Sequence, residues 1–206
     1  LDLSALERGA ALHLLPPVGF EGGKLLQYIE SHPDITSIFV VPSAISHEGK
    51  TTGEENLRKL ASLERILFSG EPISTELARS LKEYCPNTEI WNLYGGTEFP
   101  YCLASRIEDP KKANEFSIRE NSKNIRDAPI KIVYKDGLED GRGELCVAGD
   151  VTFSGYLQGG KVVHGSRIDG DYYPTGDVAS LEGDSLRLHG RVDDQVKVQG
   201  IRVRLR

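Results

Sequence analysis

An α/β fold, a parallel α/β sheet subdomain followed by a small antiparallel β-barrel-like subdomain, is predicted by three features of this 206-residue chain. Short apolar runs alternate with amphipathic stretches over the first half, a charged connection without periodicity follows, and the hydrophobic period then changes to 2. The expected division is residues 1–128 for the sheet subdomain and 129–190 for the barrel-like one, with residues 191–206 beyond it.

In chain order, Leu25, Leu26 and Ile29 fall at helical spacing behind Gly22-Gly23. The run Ile38-Phe39-Val40-Val41 is short, apolar and closed by Pro42, and it reads as a strand. A short helix is expected around residues 57–60, then a second strand at Ile66-Leu67-Phe68, which ends at Gly70-Glu71-Pro72. Leu77, Leu81 and Tyr84 recur at helical intervals. Ser74 or Thr75 serves as N-cap there, and Glu76 sits in the first turn where the helix dipole favours a negative charge. Ile90-Trp91-Asn92-Leu93 is a third strand, running into Gly95-Gly96. Apolar strands separated by helices imply a parallel sheet covered on both faces. Ligands of such sheets sit beyond the carboxyl ends of strands, where residues 94–98 fall.

Between residues 106 and 129 the pattern dissolves into Glu-Asp-Pro-Lys-Lys and Arg-Glu-Asn-Ser-Lys-Asn. Beyond it, Ile130, Ile132 and Tyr134 alternate with Lys131, Val133 and Lys135 ahead of Asp136-Gly137, and Leu145 and Val147 alternate with Glu144 and Cys146. Further strands at 177–181, 185–189 and 195–198, each bounded by Gly or Asp, complete the barrel-like reading.

With 25 basic and 31 acidic residues the net charge is -6, and no Lys/Arg block stands out. That balance argues against nucleic acid or an anionic membrane as partner. Cys85, Cys102 and Cys146 are scattered, with no Cys-x-x-Cys, and read as reduced thiols rather than as a zinc site or disulfide framework. No apolar run approaches the ~20 residues of a membrane span, and no signal peptide opens the chain. A cytoplasmic protein is the expectation. The absence of any methionine suggests a piece of a longer chain.

The chemistry concentrates in Asn92-Leu93-Tyr94-Gly95-Gly96-Thr97-Glu98. A ring can stack on a base, glycines let backbone N–H groups approach phosphate oxygens, a hydroxyl can donate to an anion, and a carboxylate can hold magnesium. Alone the heptad is a weak signal, because Gly-Gly most often marks a turn. Three further motifs follow in order: 143–149 (Gly-Glu-Leu-Cys-Val-Ala-Gly) with Gly155-Tyr156, then Tyr173-Pro174-Thr175-Gly176-Asp177, then 190–200, which begins Gly190-Arg191-Val192-Asp193-Asp194 and carries Lys197. Together the four resemble the adenylate-forming superfamily, which includes the adenylation domains of nonribosomal peptide synthetases, acyl- and aryl-CoA ligases, and luciferase.

The resemblance implies that Tyr94 stacks on adenine, that Gly70, Asn92, Gly95 and Gly96 belong to the nucleotide pocket, that Thr97 donates to phosphate, and that Glu98 ligates Mg²⁺. Asp177 would accept hydrogen bonds from both ribose hydroxyls, since two neighbouring O–H donors suit one bidentate carboxylate. Arg191 would lie near ribose and α-phosphate, residues 191–206 would form the hinge and the start of a lid with Asp193 as the hinge residue, and Lys197 would act in the second half-reaction. The motif of residues 143–149 reads as structural, a strand with tight ends. The histidines are scattered and read as surface or packing residues. Gly96 stands where peptide-synthetase members often have proline, and Arg202-Val203-Arg204 where Arg-Ile-Glu is common.

The implied reaction uses ATP to activate a carboxylic acid, an amino acid foremost, as an acyl-adenylate with release of pyrophosphate, and AMP leaves when the acyl group is passed on. The acyl group passes to the thiol of a phosphopantetheinylated carrier protein, or of CoA in the alternative ligase branch. A noncatalytic adenylation-like binding module is the alternative from another class. The family's phosphate-cradling loop is expected upstream of Leu1 and its lid downstream of Arg206, so that the isolated piece would be inactive.

Overall fold

The computed structural model describes residues 4–15, 24–46, 54–118, 128–134, 138, 141–193, 195–198 and 201–204. Its first sheet holds β1 (Ser37–Val40), β2 (Arg65–Ser69), β3 (Glu89–Gly96) and β4 (Phe99–Arg106), in that spatial order. β1, β2 and β3 are parallel, and β4 returns antiparallel to β3. Ile38, Ile66 and Ile90 stand side by side in register, so one face of the sheet is an unbroken apolar row. Against it pack the helices Lys24–Ser31 and Thr75–Tyr84 and the 3₁₀ helix Glu54–Ser62, through Leu26, Ile29, Leu60, Leu77 and Leu81. The opposite face carries Phe39, Leu67 and Trp91 in register, with Phe39 53% exposed. Among the described residues these helices cover one face of the parallel strands, where cover on both was expected.

Ser74 caps the helix Thr75–Tyr84: its side chain accepts the Leu77 N–H at 3.1 Å. Ser74→Ala leaves that donor unsatisfied, and urea unfolding is expected to report a loss of about 1 kcal/mol. An unchanged midpoint would contradict the cap.

The second sheet is antiparallel throughout, with the order β5 (Glu115–Ser117), β11 (Ser185–Arg191), β10 (Tyr173–Glu182), β7 (Arg142–Val147), β6 (Ile130–Tyr134). Among the described residues its outer strands β5 and β6 do not pair with each other, so the barrel-like subdomain is an antiparallel sheet that does not close. The edge strand β5 contributes three residues, paired with β11. β5 itself lies inside the charged connection, where Phe116 is buried opposite Leu186. Two hairpins accompany the sheets, β8 (Tyr156–Gln158) with β9 (Lys161–Val163), and β12 (Gln195–Val198) with β13 (Ile201–Arg204).

A second core joins the two sheets. Phe99, Cys102 and Leu103 of β4 pack with Phe116, Leu145, Val147, Ala179 and Leu186, and Tyr94 lies at the edge of this cluster. All three cysteines are buried and unbridged; burial pushes the thiols of Cys85 and Cys102 up to about 11 and about 12, which keeps them protonated. Among the described residues no helix is long and apolar enough to cross a membrane.

Candidate functional site

β10 breaks register with β7 between Pro174 and Val178, while Asp177 stays directly opposite Arg191 on β11. The irregularity turns residues 175–177 out of the ladder, as bulges do beside functional sites. Gly176 occupies the left-handed region at φ +77°, and a Cβ there would lie 3.1 Å from the Arg191 guanidinium carbon. The buried Thr175 hydroxyl ties the turn down, donating to the Leu145 carbonyl at 2.8 Å and accepting the Asp177 N–H at 3.1 Å. Cross-strand pairing then makes Asp177 and Arg191 ionic partners, with Nη1 3.2 Å from Oδ1. The other edge of the guanidinium meets Asp193 in a fork, at 2.7 and 3.2 Å.

From the first sheet, Tyr94 reaches across and donates its hydroxyl to Asp177 Oδ2 at 2.6 Å. Burial, then the Asp177 charge, push the pKa of this hydroxyl well above its ordinary value, so it remains a donor. The Asp177 carboxylate accepts from both the Tyr94 hydroxyl and the Arg191 guanidinium.

These side chains line a cavity of about 430 Å³ between the sheets. Gly70, Glu71 and Pro72 beyond β2, Asn92 to Gly95 of β3, Asn114 and Phe116 beside β5, Asp177, and Leu188 to Arg191 form its wall. The size lies in the range of small-molecule sites, and its place at the ends of parallel strands is the usual one for an open α/β sheet. Asn92 donates to the Ala113 carbonyl at 2.7 Å, and Asn114 exchanges bonds with the backbone of Ile73 at 3.0 and 2.9 Å. Two amides, Asn92 buried and Asn114 half-buried, thereby fix the loop after β2 against β3.

Six of the sequence-predicted residues meet at this cavity: Gly70, Asn92, Tyr94, Gly95, Asp177 and Arg191. Asp193 joins them through Arg191. Gly96, Thr97 and Glu98 are not part of the wall: Gly96 ends β3, and Thr97 and Glu98 form the turn to β4, with Thr97 exposed and Glu98 buried. Lys197 lies on β12, in register with Arg202, and only its backbone is described. Sequence reasoning missed Asn114, Thr175 and Tyr156 as site residues. Thr175 and Tyr156 stood inside quoted motifs, whereas nothing marked Asn114 within its charged run.

Glu98 accepts the Tyr156 hydroxyl on Oε1 at 2.9 Å. Among the described residues no group of three or more His, Cys, Asp and Glu could hold a metal ion by itself. A single buried carboxylate is a hard oxygen donor and fits magnesium in the manner of nucleotide sites, where most of the coordination comes from water and phosphate.

A family model described as AMP-binding enzyme matches residues 3–157. The zwittermicin A synthase ZmaJ of Bacillus cereus is 33% identical over 88% of this chain and 36% of its own length. An L-proline–[L-prolyl-carrier protein] ligase of Streptomyces coelicolor is 32% identical over 98% of this chain and 39% of its own length. Among solved structures, the Vibrio cholerae adenylation domain AlmE in complex with glycyl-adenosine-5'-phosphate matches with a TM-score of 0.70 at 23% identity, over 96% of this chain and 38% of that one. The chain therefore spans well under half the length of each. Since the family model covers most of the sequence, this chain belongs to the AMP-binding enzyme family, the adenylate-forming proteins that its four motifs resemble.

Proposed function

We propose that the protein carrying this chain is a cytoplasmic, ATP-dependent adenylate-forming ligase that activates an amino acid and passes the acyl group to the phosphopantetheine thiol of a carrier protein. The observation that carries the reading is the convergence of Tyr94, Asp177 and Arg191, from three strands of two sheets, on one cavity. A flat adenine fits beside the Tyr94 ring and the backbone of Gly70 and Gly95, with Asn92 behind them. The ribose hydroxyls donate to the Asp177 carboxylate, and Arg191 offers its fixed fork to the α-phosphate. Gly96 and Thr97 line the phosphates and Glu98 supplies one oxygen to Mg²⁺. Asp193, held by Arg191, serves as the hinge at the start of residues 191–206, and Lys197 acts after the lid has turned. Residues 1–128 and 129–190 form the two walls.

In the first half-reaction a substrate carboxylate oxygen bonds to the α-phosphorus of ATP and the bond to pyrophosphate breaks. In the second, a thiol sulfur bonds to the acyl carbon and AMP leaves. The side chains act by placement and by relieving phosphoryl charge.

ATP–pyrophosphate exchange on the full-length protein, with panels of amino, aryl and fatty acids, tests this. Exchange with one or a few amino acids, followed by loading of a carrier rather than CoA, is the expected result. Loading of CoA would move the protein to the ligase branch, and exchange with no acid would leave a noncatalytic binding module.

A further inference from the structure

The segment after β7 grips Glu98 at two points. Phe153 donates its backbone N–H to the Glu98 carbonyl at 2.7 Å, and Tyr156 donates its hydroxyl to the Glu98 carboxylate at 2.9 Å. Two bonds from one short segment fix both the main chain and the side chain of a residue type that otherwise keeps much rotamer freedom. The Tyr156 ring is itself held, edge-on to Phe153 with centroids 4.8 Å apart, and Phe153 packs in the same way on Tyr173 at 5.3 Å. Tyr173 opens β10, the strand that carries Asp177. The acceptor is buried, at 7% exposure, while the donor sits on an outer hairpin whose residues are exposed along both strands.

We propose that Tyr156 is a positioning residue of the nucleotide site: its hydroxyl orients the Glu98 carboxylate, and the Phe153–Tyr173 contact ties that orientation to the strand bearing Asp177. The proposal rests on the nucleotide reading of the site. Tyr156 acts on the ion only through Glu98.

Tyr156→Phe deletes the hydroxyl and keeps the ring. With the full-length protein, calorimetric titration of ATP at a series of magnesium concentrations is expected to show the half-saturating magnesium concentration rising about tenfold, the size of one hydrogen bond to a charged group. The KM for the acid should stay unchanged. In a Glu98→Ala background the same substitution should add nothing, which a merely structural role would not produce. Leu157→Ser, on the same hairpin and 76% exposed, should leave the magnesium dependence as it was. Additive effects of Tyr156→Phe and Glu98→Ala, or an equal shift from Leu157→Ser, would overturn the proposal. If the native protein binds ATP with magnesium and Tyr156→Phe binds identically, only the positioning role falls. If the native protein binds no ATP at any magnesium concentration, the functional reading falls and this inference with it.

Discussion

Asp177→Ala in the full-length protein is expected to lower kcat/KM for ATP by about 100-fold or more, because two hydrogen bonds to a charged acceptor, at about 1.5–3 kcal/mol each, disappear together. The fold should survive the change. Arg191 keeps its fork on Asp193, and the turn before Asp177 is anchored by Thr175 rather than by the carboxylate. Tyr94 loses the acceptor of its hydroxyl, a cost of about 1–3 kcal/mol that thermal unfolding reads separately from the kinetics. Cys146→Ala is the matched control: the thiol is fully buried, and the cavity wall does not include it. It should disturb stability slightly and leave the KM for ATP alone. Steady-state kinetics on both variants decide the matter, and equal effects would refute the ribose assignment of Asp177.

Gly95→Ala is expected to cost about 1–3 kcal/mol and to abolish nucleotide binding. A Cβ at this position would run into the backbone nitrogen of Tyr101 and sit 2.8 Å from the Phe99 carbonyl oxygen. Both are main-chain atoms of the facing strand, so no rotamer change relieves the clash. The hairpin must part where its register already shifts, between Tyr94 and Gly96. At about 2–4 °C per kcal/mol for a chain of this size, the melting temperature should fall by several degrees. Gly96→Ala next door provides the contrast. Its Cβ would meet the Phe99 ring at 3.0 Å, a side chain that can move, so the loss should be smaller. Thermal melts that rank the two in the reverse order would contradict the account of the turn.

Legibility of the fold tracked the strength of local periodicity. β1, β2, the helix Thr75–Tyr84 and the core half of β3 were written in short runs with clear ends, and Ser74 announced its cap. β4 was not foreseen, because Pro100 interrupts the run Phe99 to Leu103 and no Asn-Gly or Asp-Gly marks the turn. As a result, residues 94–98 belong to a hairpin instead of a loop beyond the sheet. β5 escaped for a different reason. Three residues inside a charged stretch become a strand only through their partner β11, seventy positions away in sequence. Whether five strands close into a barrel depends likewise on long-range pairing, and no local period encodes it.

The site divides in the same way. Tyr94, Asp177 and Arg191 could be chosen from their motifs, because the residue types match the donors and acceptors of a nucleotide. Their mutual bonds could not be read, since these depend on the cross-strand register of β10 with β11 and on the approach of two sheets. Glu98 was legible as a carboxylate beside glycines, yet the hydroxyl that holds it comes from Tyr156, 58 residues on. Asn114 fixes the loop after β2 from within a run of charges, where composition points only to solvent.

The central claim is that one cavity between the two sheets holds an adenine nucleotide. A crystal structure of the protein with AMP bound tests it most directly. The account predicts adenine against the Tyr94 ring and both ribose hydroxyls within hydrogen-bond distance of Asp177. AMP bound elsewhere, with the space between Tyr94, Asp177 and Arg191 left to solvent, would contradict it.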